Sequence, residues 1–136
     1  MRVVVDASTI VGAALRADSI PQQALLLARE RHTIVLFGAV LGEIEAVLKR
    51  PKFAGILTDD RREEILGLLA AAAVWVEPAL RVGDCRDAKD NKYLELAAAA
   101  GAGVIISSDE DLLVLDQWRG IRILRPREFL AAAEAG

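Results

Sequence analysis

Met1-Arg-Val-Val-Val-Asp6 and Gly103-Val-Ile-Ile-Ser-Ser-Asp109 are two short apolar runs, each closed by an aspartate. Short apolar runs of this kind read as strands buried on both faces, which is the situation in a parallel sheet. Open parallel sheets bind their ligands beyond the carboxyl ends of the strands. The two aspartates are therefore expected on that one rim. Between them the chain supplies Glu43 and Asp90, each at or inside a helix-patterned segment that begins a few residues after a break signal. Four acids arriving from distant parts of the chain suggest a divalent-metal site.

Working outward, strand patterns alternate with helical ones. Further strands are expected over residues 33–37, 74–76 and 121–124. Helices are expected over 10–15 behind a Ser8-Thr9 cap, 22–31 after Pro21, and 40–48 up to Pro51. Others follow over 58–73, over 87–100 ended by Gly101, near Asp109, and from Arg127 onward. This order predicts an α/β fold, three layers with helices on both faces of a central parallel sheet of four or five strands and right-handed crossovers. The whole of residues 1–136 is expected to form one domain, since a chain of this length buries one core and not two.

Composition narrows the chemistry. With 54% hydrophobic but only 4% aromatic residues, the core must be built from Ala, Val, Leu and Ile. The apolar stretches at 70–76 and 96–100 fall far short of the roughly 18 residues of a membrane span, and Asp6 interrupts any signal-peptide core. A soluble, cytoplasmic protein is expected. Cys85 and His32 are the single cysteine and histidine, which excludes an internal disulfide and a Cys-rich zinc centre. Carboxylates are the plentiful ligands, and hard oxygen donors select Mg²⁺ or Mn²⁺. A net charge of −3 gives no general attraction to nucleic acid. The knot Lys49, Arg50 and Lys52, with Arg61 and Arg62 beyond it, suits either phosphate contacts or the negative pole of a helix.

Each acid has a structural alternative. Asp6 and Asp109 would both serve as helix caps, although capping does not explain why both end strands. Glu43 lies on a flank of the apolar stripe of its helix, and Glu45 points more toward solvent, so Glu43 is the better ligand. Asp87 and Asp90 have capping-box spacing; Asp87 is assigned to the cap and Asp90 to the metal. Asp111 can join Asp109 only if both lie in a turn. Ser8 could orient a carboxylate, with Asp84 and Asp87 as further supports around the ligands. His32 is placed at the end opposite the acids, and Cys85 has no partner that would activate it.

Val3-Val-Val-Asp6-Ala-Ser8-Thr9, Leu41-Gly-Glu43-Ile44, Asp87-Ala-Lys-Asp90-Asn91-Lys-Tyr-Leu94 and Ile106-Ser-Ser-Asp109-Glu-Asp111 together resemble the motifs of PIN-domain nucleases, more narrowly the VapC-type toxins of prokaryotic toxin–antitoxin systems. By position, the family's acidic residues match Asp6, Glu43, Asp90 and Asp109, with Asp111 as a further acid and Ser8 as a supporting hydroxyl. Ala88 stands where many relatives have proline. The resemblance implies a Mg²⁺- or Mn²⁺-dependent endoribonuclease, an antitoxin protein as partner and RNA as substrate. A homodimer is also expected, from Ala- and Leu-rich helices that leave an apolar face. The rival readings are a phosphohydrolase working through an aspartyl phosphate, for which Ser8 stands where a second acid is needed, and a catalytically weak PIN-like domain that binds RNA or protein.

Overall fold

A computed structural model describes residues 1–72 and 74–135 of the chain. Five strands, β1 (Arg2–Val5), β2 (Thr33–Leu36), β3 (Val74–Trp75), β4 (Val104–Ile106) and β5 (Arg122–Leu124), form one parallel sheet in the order β3-β2-β1-β4-β5. Helices α1 (Ala7–Leu15), α2 (Ile20–Arg31), α3 (Gly38–Leu48), α4 (Asp59–Ala72), α5 (Asn91–Ala100), α6 (Glu110–Leu113) and α7 (Pro126–Ala135) flank it, giving the expected α/β/α architecture. The last position of the predicted 58–73 helix lies outside the described residues. No helix among them is long and apolar enough to cross a membrane.

The sheet order carries the functional consequence. After β1 the chain leaves toward β2 and β3, whereas after β4 it leaves toward β5. Neighbouring strands whose connections diverge leave a crevice at their carboxyl ends. Here those neighbours are β1 and β4, paired in register Val3 to Val104, Val4 to Ile105 and Val5 to Ile106. One residue further along, Asp6 and Ser107 stand side by side at the mouth of the crevice, and the Asp6 amide donates to the Ile106 carbonyl at 3.1 Å.

β4 is buried throughout and β1 from Val3 onward, as their apolar runs require. α5 packs across β1, β2 and β4, burying Tyr93, Leu94, Leu96 and Ala97. Gly101 closes it in the left-handed region at φ 64°, where a side chain would be strained.

Three local expectations are corrected. The first helix is capped by Asp6, whose side chain accepts from the Thr9 amide, and not by Ser8-Thr9. Strand β1 ends so abruptly that the aspartate closing it is already at the helix threshold. The predicted helix over 87–100 is two pieces, a 3-10 turn Ala88–Asp90 and then α5, because Asp87 caps a tight turn before the α-helix begins. Pro51 does stop α3, but it also opens a second 3-10 turn, Pro51–Phe53.

Helices α1 and α2 meet at Gly12, where an added Cβ would come 2.8 Å from Cγ and 3.1 Å from Cβ of Pro21. A rigid ring cannot yield as a long side chain would. Gly12→Ala is therefore expected to lose about 1–3 kcal/mol of stability instead of the gain of up to about 1 kcal/mol usual for this change inside a helix. Urea denaturation of the two proteins reads the sign.

Candidate functional site

The four predicted acids come together. Asp6, Glu43, Asp90 and Asp109 line a single cleft of about 340 Å³ at the carboxyl ends of β1 and β4, with Ser8, Tyr93, Arg50 and Lys89 also on its wall. Each acid arrives on a different element: Asp6 from the end of β1, Glu43 from α3, Asp90 from the 3-10 turn before α5, and Asp109 from the cap of α6.

Asp6 is nearly inaccessible, at 3% exposure. Its Oδ1 accepts from Ser8 Oγ at 2.8 Å and from the Thr9 amide at 3.0 Å, and its Oδ2 accepts from Ser107 Oγ. A hydroxyl has one proton to give. Ser8 and Ser107 give theirs to Asp6 and in turn accept from the amides of Ser108 and Asp109 at 3.2 and 2.9 Å. The serines thus tie the ends of β1 and β4 together and fix where Asp6 and Asp109 stand. Burial pushes the Asp6 carboxyl above its ordinary pKa of 3.8, against the hydrogen bonds from Ser107, Ser8 and Thr9 that favour its ionised form.

Asp90 is the least satisfied member. It is 4% exposed, it makes no side-chain cap bond to α5, and its Oδ2 is buried without a hydrogen-bond partner. Burial, a shared hydrogen bond with Asp109 and the nearby charges of Asp109, Asp87 and Glu43 raise its pKa to about 7. The backbone beneath it is held by local bonds. Asn91 Oδ1 accepts from the Cys85 amide at 2.9 Å, Glu95 accepts from the Val82 amide at 3.0 Å, and Asp84 accepts from the Trp118 indole at 2.7 Å. These pin the loop of residues 79–86.

Glu43 is held by two groups that the sequence reading overlooked, an ion pair with Lys92 and a hydrogen bond from the Tyr93 hydroxyl to Oε1 at 2.6 Å. The same hydroxyl accepts from the Ala7 amide at 3.1 Å, one of the first-turn donors that a helix leaves unpaired. A single buried phenol therefore joins α5, α3 and the start of α1. Burial, and then the Glu43 carboxylate, raise its pKa, so it stays a donor. The signal was present in the sequence: this is the only tyrosine in a chain of few aromatics, three residues after Asp90.

The remaining candidates fall outside the cleft. Asp111 pairs with Arg86 at 2.9 Å. Asp87 caps the 3-10 turn, accepting from the Lys89 amide, and Glu45 pairs with Lys49 on the surface. His32 sits beside the N-terminal amine, at the opposite end of the sheet. Cys85 is buried and free, and desolvation raises its pKa.

Carboxylate oxygens are the donors that a hard divalent cation prefers. A buried carboxylate oxygen with nothing to bind is costly, and Asp90 Oδ2, in a cleft also lined by Asp6 and Asp109, is where a cation would relieve that cost. Among the described residues no group of three or more His, Cys, Asp or Glu side chains is arranged so that it could hold a metal ion, and Asp6 and Glu43 are engaged by the protein donors just described.

Known proteins share the fold and, over most of the chain, the sequence pattern. A family model described as the PIN domain matches residues 2–111. An uncharacterized protein of Methanocaldococcus jannaschii is 28% identical, covering 98% of this chain and 92% of its own length. VapBC2 of Rickettsia felis, solved bound to a DNA fragment from its promoter, shares the fold with a TM-score of 0.61 at 13% identity, covering 90% of this chain and 97% of that one. FitAcB of Neisseria gonorrhoeae does so with 0.56 at 16%, covering 92% and 98%.

Two outcomes are expected from the metal-free protein. In the unfolded chain Asp90 ionises near 3.8, while in the folded one it keeps its proton to about 7, so its contribution to stability is present at acid pH and is lost as pH rises through that window. Asn imitates the protonated acid. Asp90→Asn should match the parent near pH 4 and exceed it near pH 8, by on the order of 1 kcal/mol once solvent screening at the cleft mouth is allowed for; equal melting shifts at both pH values would contradict this. Tyr93→Phe leaves the Ala7 amide unpaired and should cost about 1–3 kcal/mol, read by chemical denaturation.

Proposed function

The chain belongs to the PIN domain family, and on that footing we propose that it is a Mg²⁺- or Mn²⁺-dependent endoribonuclease, the toxin of a toxin–antitoxin pair. The observation that carries the reading is the gathering of Asp6, Glu43, Asp90 and Asp109 in one cleft with an orphaned oxygen on Asp90.

In this reading Asp6, Asp90 and Asp109 hold the cation and Glu43 lies beside it. When bound, Mg²⁺ or Mn²⁺ supplies Lewis-acid polarisation of the phosphoryl group and lowers the pKa of a water. The protein's own part is positional. Ser8 and Ser107 aim Asp6 and favour its ionised form, while Lys92 and Tyr93 keep Glu43 turned into the cleft, where it orients the attacking water. Water attacks phosphorus, the bond to O3′ breaks, and O3′ leaves as a hydroxyl, so the products carry 5′-phosphate and 3′-hydroxyl ends. No side chain becomes covalently attached. An aspartyl-phosphate route gains no support here, because Ser8 occupies the place of the acid which that chemistry needs.

The partner in this proposal is a small antitoxin that covers or enters the acidic cleft, and the fold likeness to VapBC2 and FitAcB supports it. A homodimer and a cytoplasmic setting complete the reading.

Single-stranded RNA incubated with the protein should be cut when Mg²⁺ or Mn²⁺ is present and not in EDTA. Asp6→Asn should reduce cutting about 100-fold or more while retaining the fold by circular dichroism. Mn²⁺ should raise the melting temperature of the parent at pH 8 and leave Asp90→Asn nearly unmoved. Undiminished cutting by Asp6→Asn, or activity confined to p-nitrophenyl phosphate, would overturn the assignment.

A further inference from the structure

The acidic floor of the cleft repels the very polyanion it is proposed to cut, so binding must draw on cations nearby. Arg50 is one. Pro51 disfavours helical geometry in the residue before it, and Arg50 is accordingly extended, at φ −59° and ψ 138°. Arg50 thus stands two residues past the end of α3, off the helix. It lines the acidic cleft on one side and, on the other, a second cavity of about 440 Å³ between the end of α3 and the start of α4. The second cavity is walled also by Lys49, Thr58, Asp59 and Arg62. Lys49 and Arg62 are matched by Glu45 and Asp59. Among the described residues Arg50 has no ion-pair partner, although it stands next to four carboxylates, and Lys52 close by rests only on the Phe53 ring.

An unneutralised arginine shared by two adjoining cavities is placed to bridge them. Glu43 is five residues before Leu48, the end of α3, roughly 8 Å along the helix, and Arg50 stands just past that end, a separation that phosphates one or two linkages apart on an extended strand can span. Its planar fork binds phosphate oxygens in pairs.

We propose that the cavity between α3 and α4 is a second phosphate subsite for the RNA strand, with Arg50 passing the backbone from it into the acidic cleft. The inference rests on the ribonuclease reading and adds a direction to it: the substrate runs along α3 toward α4, and length beyond the scissile linkage is recognised there without regard to base.

The test uses the full chain carrying Asp6→Asn, so that bound RNA survives, with fluorescently labelled single-stranded RNA of two, six and twelve nucleotides followed by anisotropy from 25 to 200 mM KCl. Affinity should climb from two to six nucleotides. Adding Arg50→Ala should remove about tenfold of that climb and flatten the plot of log Kd against log salt by about 0.7, the share of one phosphate contact on a single strand. Arg50→Lys should restore the slope. Arg31→Ala, which removes the same charge at the opposite end of the sheet, should change neither quantity. An Arg50→Ala protein with the parent's length dependence and salt slope, or an Arg31→Ala protein that loses as much, overturns the subsite. Cutting of the same RNA by the parent chain is measured alongside. If the parent cuts while the slope is indifferent to Arg50, the subsite falls and the ribonuclease stands; if RNA of no length is bound or cut, both fall.

Discussion

The hydrogen bond from Ser107 to Asp6 joins two strands that lie 101 residues apart in the chain, and the candidate site depends on it. Parallel pairing of β1 with β4 brings the two strand ends level. The serine hydroxyls then convert that alignment into a fixed direction for each carboxylate. Without in-register pairing Asp6 would be one more helix cap; with it, Asp6 lines a crevice that Asp90 and Asp109 line too.

That arrangement sets stability against readiness to bind. Burial raises the pKa of both Asp6 and Asp90, so near neutral pH the folded protein bears the cost of carboxylates short of countercharge. Lys92 and Tyr93 meet the need at Glu43, and hydroxyls and an amide meet it at Asp6, while Asp90 is left with an unpaired oxygen. Cations are close, yet they are spent elsewhere or face outward: Arg86 on Asp111, Lys89 loosely on Asp87 at 3.7 Å, Arg50 on the rim. A positive charge arriving in the cleft would therefore meet a site that its own protein has not neutralised.

Some of this could be read from the chain. The runs ending at Asp6 and Asp109 did hold strands, Arg2–Val5 and Val104–Ile106, with Asp6 directly after the first and Asp109 three residues past the second. Glu43 was separated from Glu45 by helical periodicity, and the surface ion pair of Glu45 with Lys49 agrees. Asp87 does cap and Asp90 does not. Asp111 could not be placed in advance: in α6 a residue two positions from the cap turns away from it, and an arginine from the 79–86 loop was there to receive it. Tyr93 and Ser107 were overlooked because their roles lie in partners 50 and 101 residues distant.

Local sequence, then, determined the strands, most of the helices, the rim on which the acids stand and the hard-oxygen chemistry available to them, since periodicity, break residues and side-chain type act over a few residues. Only the tertiary structure decided which hydroxyls orient Asp6, which phenol holds Glu43, that Asp90 keeps an unpaired oxygen and that Asp111 is drawn off to Arg86. Those outcomes are set by which side chains become neighbours once β1 and β4 pair, and pairing between distant segments leaves no periodic trace in either one.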